Sequence, residues 1–400
     1  MAAVRDRVAE FGTAVGDAGM AAALVMQPQD VYYLSGTGQP CNLLVVPGGE
    51  PVLFARRYSD LARRSARVAR LLDGPGFSAV VREAERIGVG DGPLGMELDV
   101  LPAALVERAR RAFGGREVVD CTPLLLAQRA RKDAGEVQAL RASVRMYDAV
   151  HAAILEHLRP GIAEHELSAE VARALRRAGH DGVIFQRRWD AKLPAEGAIA
   201  SGENLAVLSR GPISVTGVGL SESFPMAASG RRLQAGDLLN IDLGLNRAGY
   251  HGDMARTYAV GALPPGVEPL ARAVREIQDA CLDAIRPGVT ADSVHGAGVA
   301  AARSLGVADV FQGHDGVHGP YVGHGIGLEL DEPPVLGPGV ATRLEEGMVL
   351  AVEPKLMSPA FGAVNIEDDV VVTADGCELL GELPRAVFVV DENGGGTPVP

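Results

Sequence analysis

Two stretches of this chain repeat each other. Residues 153–179 (AILEHLRPGIAEHELSAEVARALRRAG) and 280–306 (ACLDAIRPGVTADSVHGAGVAAARSLG) align without a gap at an offset of 127. In each copy an amphipathic helix stops at Arg-Pro-Gly, because proline cannot continue one, and a second helix starts after a short acidic or Thr-containing cap. A period this long is not that of a solenoid. It predicts one domain built from two similar halves, each with a helix pair followed by strands. Strand signals do follow each pair, at Leu238–Leu243 and Tyr250–Val260, then at Met348–Glu353 and Val364–Val372. Chance similarity between two amphipathic helices is the alternative, and the shared Arg-Pro-Gly at equal offset favours duplication.

Those strands carry acids where acids are unusual. Leu238–Gly244 reads LLNIDLG and Gly249–Thr257 reads GYHGDMART, with Asn246–Gly249 as the intervening turn. A hairpin symmetric about that turn sets Asp242 directly opposite Asp253, with Cβ atoms about 4.5–5.5 Å apart. Strand alternation sends Leu239, Ile241 and Leu243 to the other face, toward a core. Two facing carboxylates repel and call for a cation or a shared proton. Glu353 ends the strand MVLAVE, and Glu367 lies within VNIEDDVV. Acids are depleted in strands, and burying one is costly unless it is paired or metal-bound. His324 sits in GHGIG, where glycines allow close backbone approach. Four carboxylates and one imidazole suit a pair of hard or borderline divalent ions such as Mn, Fe, Co or Zn. Spacing alone leaves a second reading open, in which each acid is a solvated residue on an exposed strand face and His324 is structural.

The bulk properties narrow the classes. At 400 residues, two domains are expected and no disulfides are needed. The net charge of −13 argues against nucleic acid or an anionic membrane as partner. The four cysteines, Cys41, Cys121, Cys281 and Cys377, form no C-x-x-C pair and read as reduced, mostly buried thiols. The first residues lack an apolar signal core and the longest apolar runs are too short for a membrane span, so the expected location is the cytoplasm.

Strands alternate with helices before residue 130. A helix is expected over 2–19, strands over Ala22–Met26, Cys41–Val46, Pro51–Phe54, Leu94–Leu98 and Val118–Cys121, and helices over Asp60–Arg70 and Ala103–Phe113. This pattern predicts a small α/β domain with a partly parallel sheet. The polar stretch ARKDAGE from Ala130 to Glu136 marks the boundary. The expected division is 1–130, 131–390 and a tail over 391–400, whose glycines and prolines predict disorder.

The segments IDLG…GYHGDMARTY, GHGIGLELDEPP, EEGMVLAVEP and NIEDDVVVT, in this order, resemble the pita-bread family of Xaa-Pro dipeptidase, aminopeptidase P, methionine aminopeptidase and creatinase. The resemblance covers about residues 130–390, and DVYYLSG at Asp30–Gly36 is similar to the family's smaller N-terminal domain. It implies an α+β fold: a pita-bread catalytic domain with an internal pseudo-twofold repeat, preceded by a smaller α/β creatinase-type domain. It implies two divalent metal ions (Mn, Co, Fe or Zn) held by Asp242, Asp253, His324, Glu353 and Glu367. Asp253 and Glu367 would bridge the ions, and Glu353 would also be catalytic, handling the proton of an attacking water. The implied activity is hydrolysis of a C–N bond, peptide or amide, by a metal-bridging hydroxide. The implied substrate is a short peptide or small molecule, and the implied assembly is a homodimer.

Three positions depart from the family's pattern. A histidine expected before the first Asp motif is missing from SESFP, where Ser223 stands nearby. Asp331 replaces a histidine after GHGIG. Asn365 replaces an arginine two residues before the last glutamate. His314 and His318, in the loop GHDGVHG, are candidates for the missing histidines or are surface loop residues. Trp189 is a candidate pocket, core or dimer-contact residue, and Ser201–Asn204 a candidate turn near the site. These departures keep a second function in play: a non-peptidase lyase or specialised biosynthetic enzyme acting on a small charged metabolite with the same metal cage.

Overall fold

The structure, a computed structural model, describes residues 6–74, 76–207, 215, 217–391 and 394–399. Residues 2–5 of the expected first helix therefore lie outside the described residues. Two compact units are present, one comprising Met1–Arg129 with Arg187–Trp189, the other Ala130–Gln186 with Asp190–Pro400.

In the first unit, strands β1 (Ala22–Val25), β2 (Cys41–Val45), β3 (Val52–Ala55), β4 (Arg70–Asp73), β5 (Leu94–Met96) and β6 (Val118–Asp120) form one sheet in the order β4-β3-β2-β1-β5-β6. The hairpins β1–β2 and β2–β3 are antiparallel, whereas β3–β4, β1–β5 and β5–β6 are parallel. Helices α1 (Arg7–Asp17), α2 (Pro28–Ser35), α3 (Ser59–Ser65), α4 (Phe77–Arg86), α5 (Ala103–Ala112) and α6 (Thr122–Ala130) complete it. The basic helix expected over Asp60–Arg70 stops at Ser65, and the apolar Leu71 turns Arg70–Asp73 into an edge strand instead. The motif DVYYLSG forms α2, with proline in its first turn, the Gln27 side chain capping the Asp30 amide, and Gly36 in the left-handed conformation at its end. Asp30 is fully buried because it serves two guanidinium groups, Arg129 at 2.7 Å and Arg187 at 2.9 Å. The motif is thus structural.

The second unit opens with α7 (Ala134–Val144), started by a capping box in which Asp133 and Glu136 exchange side-chain-to-amide bonds of 2.9 Å. The repeated segments become the helix pairs α8 (Met146–His157) with α9 (Glu164–Ala178), and α10 (Val267–Ala284) with α11 (Ala291–Ser304). Both first helices end just before their Arg-Pro-Gly. Three further strands, β7 (Ala198–Ser201), β8 (Leu238–Arg247) and β9 (Tyr250–Val260), lie in a sheet with two late strands, β19 (Val387–Val390) and β20 (Gly396–Val399), in the order β20-β19-β9-β8-β7. The hairpin β10 (Gly313–His314) and β11 (Val317–His318) stands apart. A second five-stranded sheet contains β12 (Gly323–Gly325), β13 (Glu332–Val335), β14 (Val349–Val352), β17 (Asp368–Val372) and β18 (Cys377–Leu379), ordered β13-β12-β14-β17-β18, and β15 (Lys355–Ser358) pairs with β16 (Gly362–Asn365).

Three expectations need correction. The strand expected over Val364–Val372 is broken at Ile366–Glu367, because β16 and β17 pair with different partners. Asp242 does not face Asp253 directly. The turn is the two-residue pair Ala248–Gly249, both with positive φ, rather than Asn246–Gly249, so Asp242 stands opposite Ala255 and Asp253 opposite Gly244. The two acids are diagonal neighbours on one face. The tail over 391–400, expected to be unstructured, contains β20, which fills the otherwise open edge of β19.

The two sheets are joined behind these strands by Arg256 and Asp368. Arg256 is fully buried and donates to Asp368 Oδ1 at 2.6 Å and to the Glu367 carbonyl at 2.6 Å, while Gln278 donates to Asp368 Oδ2 at 3.0 Å. Removing the acid strands a buried guanidinium. Asp368→Ala is expected to destabilise the fold by about 3–5 kcal/mol, read as a lower urea midpoint.

Candidate metal centre

Each acid of the centre occupies a strand position that the hydrophobic pattern dictates. Leu239, Ile241 and Leu243 of β8 are fully buried on one face, which turns Asp242 to the other. Asp253 follows on β9. From the second sheet come His324 in the middle of β12, Glu353 just beyond β14, and Glu367 at the β16–β17 break. Glu367 is fixed by its own amide, which donates to the Ala255 carbonyl at 3.0 Å, and the Asp253 amide donates to Asp369 Oδ2 at 2.9 Å. Glycines flank His324 because the neighbouring backbones leave no room: a Cβ on Gly323 would stand 2.1 Å from the Ala351 oxygen, and one on Gly325 would stand 2.5 Å from that of Pro333.

The side chains converge. His324, Glu353 and Glu367 each offer a ligand atom within 4.8 Å of the others, and so do Asp242, Asp253 and Glu367, and Asp253, His324 and Asp331. Glu367 belongs to the first two groups and Asp253 to the last two. His324 Nε2 lies 3.8 Å from Asp253 Oδ2, 3.7 Å from Glu353 Oε1 and 3.4 Å from Asp331 Oδ1. These separations exceed a hydrogen bond and suit donors sharing an ion. His324 Nδ1 sits 2.9 Å from the Gly325 carbonyl, so Nδ1–H donates there and leaves the Nε2 lone pair facing the acids. Asp253 Oδ1 and Glu367 Oε2 are buried and have no hydrogen-bond partner. Buried carboxylate oxygens without partners are what a divalent cation satisfies, so these residues fit the group.

The charges are correspondingly perturbed. Burial pushes Asp242 up to about 6, although Lys355 pulls the other way. Burial, reinforced by the neighbouring acids, raises Asp253 and Glu367 well above the carboxylate range. Burial also raises Asp369 to about 8. For His324, burial opposes the charged form, but Asp331 and Glu353 outweigh it and the pKa rises.

The other candidates divide. Asp331 belongs to the centre, at the mouth of a pocket whose apolar wall is Ile184, Leu193, Pro194 and Leu330. Asn365 is buried on β16, with neither polar side-chain atom paired, and does not line the pocket. Ser223 is exposed, bonded to Ser221 at 2.8 Å, and does not line the pocket. His314 and His318 are held on the β10–β11 hairpin by the carbonyls of Ala206 and Phe311, at 2.9 and 2.8 Å, and neither enters the pocket. Trp189 is 87% exposed and is neither core nor pocket. Ser201 and Asn204 satisfy the buried Glu164, which accepts from the Ser201 amide at 2.7 Å.

Sequence reasoning missed Lys355, Tyr321 and Asp369. Tyr321 lines the pocket and stands edge-on to His324. Lys355 is buried, with Nζ 2.5 Å from Glu353 Oε2. Burial opposes its charge, yet Glu353, Asp242 and Glu367 overcome that and raise its pKa. A lysine inside the apolar run VEPKLM was the available signal.

Comparison with known proteins decides the family. The profile of metallopeptidase family M24 matches residues 138–374, and that of the creatinase/prolidase N-terminal domain matches 7–131. This chain belongs to metallopeptidase family M24. It is 30% identical to a probable dipeptidase PepE of Mycobacterium tuberculosis, with 96% of each chain covered. It is 28% identical to an agropine synthesis cyclase of Rhizobium rhizogenes, over 92% of this chain and 93% of that one. The solved Xaa-Pro dipeptidase from Bacillus anthracis superposes with a TM-score of 0.81 at 25% identity, covering 96% of this chain and 99% of that one. The M24 protein is therefore a metal-dependent hydrolase of the peptidase type, built on the pita-bread fold and using divalent metal ions. Among the described residues, no helix is long and apolar enough to cross a membrane.

The perturbed acids predict how the chelated protein responds to pH. Their folded-state pKa values lie above those of the unfolded chain. The stability they contribute is therefore fully present below the ordinary carboxylate range and is lost as pH rises through about 6 for Asp242 and about 8 for Asp369. Calorimetry of protein dialysed against chelator is expected to show Tm rising as pH falls across this window, with Asp369→Asn flattening the upper part. A Tm that falls throughout the window contradicts this.

Proposed function

We propose that the M24 protein holds two divalent ions through Asp242, Asp253, His324, Glu353 and Glu367, and hydrolyses a C–N bond in a short peptide or small amide. The observation that carries this reading is the overlap of the ligand groups. Glu367 is common to the His324–Glu353 and Asp242–Asp253 sets, and Asp253 to the latter and the His324–Asp331 set, which supports reading both as ligands shared between two ions. Divalent ions supply Lewis acidity toward a carbonyl oxygen and toward water. Around them the chain's own groups act. Glu353 takes up the proton of the attacking water. Tyr321 and the apolar wall of Ile184, Leu193, Pro194 and Leu330 shield the reacting bond from bulk solvent. Asp331 sets a negative charge at the pocket mouth and favours a substrate carrying a positive one.

The same observation favours a second reading within the fold. Ser223 is turned away, Asp331 is an acid and Asn365 is neutral, so the groups that would receive a peptide's terminal carboxylate are absent from these positions. A relative named for agropine synthesis shows that the scaffold is not confined to proteins named as dipeptidases. A biosynthetic enzyme or lyase on a small charged metabolite is the alternative. We further propose manganese, cobalt, iron or zinc as the ions, a division into domains at residue 130/131, and a homodimer. A cytoplasmic location is supported by the four free cysteines.

Chelation is expected to abolish activity, and Asp253→Ala to remove at least one ion per chain by elemental analysis; a wild type that takes up no metal overturns the proposal. Simple Xaa-Pro dipeptides are expected to be poor substrates of the Mn-, Co- and Zn-loaded enzyme. Turnover with kcat/KM of about 10⁴ M⁻¹s⁻¹ or above would restore the plain dipeptidase reading.

A further inference from the structure

The most unusual group in the centre is a cation supplied by the chain. Lys355 follows Glu353 by two residues and is the first residue of β15. Its side chain is 2% exposed, and its ammonium bonds to Glu353 Oε2. Its electrostatic neighbours are Glu353, Asp242 and Glu367, members of both overlapping ligand sets. Its backbone is clamped by Gln312, whose amide donates to the Lys355 carbonyl at 2.8 Å and whose side-chain oxygen accepts from the Lys355 amide at 3.1 Å. The ammonium is therefore built into the site, since a flexible lysine would reach solvent.

Its placement relative to Asn365 is equally specific. Lys355 and Asn365 are directly opposed on the antiparallel pair β15–β16 and so share one face. Asn365 brings no charge, and both its polar side-chain atoms are unpartnered. The positive charge on this face thus comes from β15, across the ladder from the neutral residue on β16.

Glu353 is divided by this arrangement. Its Oε1 faces His324 Nε2 at 3.7 Å, and its Oε2 is taken by Lys355. We propose that Lys355 is a built-in counter-cation of the metal centre, which neutralises part of the carboxylate cluster, competes with divalent ions for it, and holds Glu353 with one oxygen toward the ligand cluster. The inference rests on the metal-site reading above. It makes Lys355 a positioning residue whose removal should tighten metal binding, which a merely structural lysine would not do.

Two consequences separate in experiment. With the ammonium gone, like charges lose their internal partner, so the chelated protein should be less stable. Divalent ions then face less electrostatic competition, so they should bind more tightly. The test titrates Mn²⁺ into full-length, chelator-dialysed wild type, Lys355→Met and Lys355→Arg by calorimetry, with elemental analysis for stoichiometry and melting curves with and without Mn²⁺. Lys355→Met is expected to bind Mn²⁺ on the order of tenfold more tightly, to melt lower than wild type when chelated, and to gain more from Mn²⁺ than wild type does. Lys355→Arg, which keeps the charge, is expected to stay near wild type in affinity. If Lys355→Met does not fold, Lys355→Gln carries the same expectations. Unchanged or weaker Mn²⁺ binding in the neutral variant overturns the counter-cation role while leaving the metal site standing. A wild type that binds no Mn²⁺ or any other divalent ion overturns the metal-site reading itself, and the inference with it.

Discussion

Too many carboxylates in too small a space is the constraint from which the second unit's architecture follows. Asp242, Asp253, Glu353, Glu367, Asp331 and Asp369 gather around His324, with Lys355 among them. Buried acids at these separations repel and forfeit their hydration, so the arrangement persists only where the surrounding chain holds it rigidly or a cation pairs with it. The fold supplies the rigidity. All five expected ligands sit on, or within one residue of, strands of two different sheets. Each sheet is braced by apolar residues on the opposite face.

The bracing is itself polar where the sheets meet. Arg256 reaches across to the Glu367 carbonyl and the Asp368 carboxylate, and Gln278 closes the far side of Asp368. Glu367 and Asp368 therefore point to different tasks from adjacent positions: one turns into the cluster, the other anchors the break between β16 and β17. The break is what lets a single short segment pair with β15 on one side and β14 on the other. A continuous strand would hold Glu367 in the ladder and keep it out of the cluster.

Much of this was legible in the sequence, for identifiable reasons. The helix pairs announced themselves because Arg-Pro-Gly stops a helix wherever it occurs, and the duplication made the pattern visible twice. The acids stood out because strand-like apolar runs rarely contain them. The register of β8–β9 was misread because Asn246–Gly249 contains good turn formers, whereas the chain turns at Ala248–Gly249, with an alanine at positive φ. The misreading left both acids on the correct face because the register differs by an even number of positions. Helix α2 was obscured by Tyr32 and Tyr33, which have weak helix propensity, and its stability comes instead from caps and the buried Asp30 ion pairs. Ser223, His314 and His318 were weighed by proximity in sequence, and the structure places each on a loop or hairpin facing elsewhere. Lys355 escaped notice because a lysine in a sequence is ordinarily a solvated one; only three-dimensional proximity to Glu353 shows otherwise.

The centre's electrostatics bear on the kind of reaction it favours. Asp331 adds a sixth acid and lines the pocket, while Asn365, buried on β16, brings no positive charge. The ammonium of Lys355 is buried and already engaged by Glu353. Among the described residues lining the pocket there is no lysine or arginine. Before metal ions offset the carboxylates, such a lining favours an ammonium or guanidinium group over a free carboxylate. Discrimination of that sort is specific to the substrate's charged groups and indifferent to the bond being cut. The pocket lining, as distinct from the ligand cluster, is therefore where members built on one scaffold can differ in the molecule they accept.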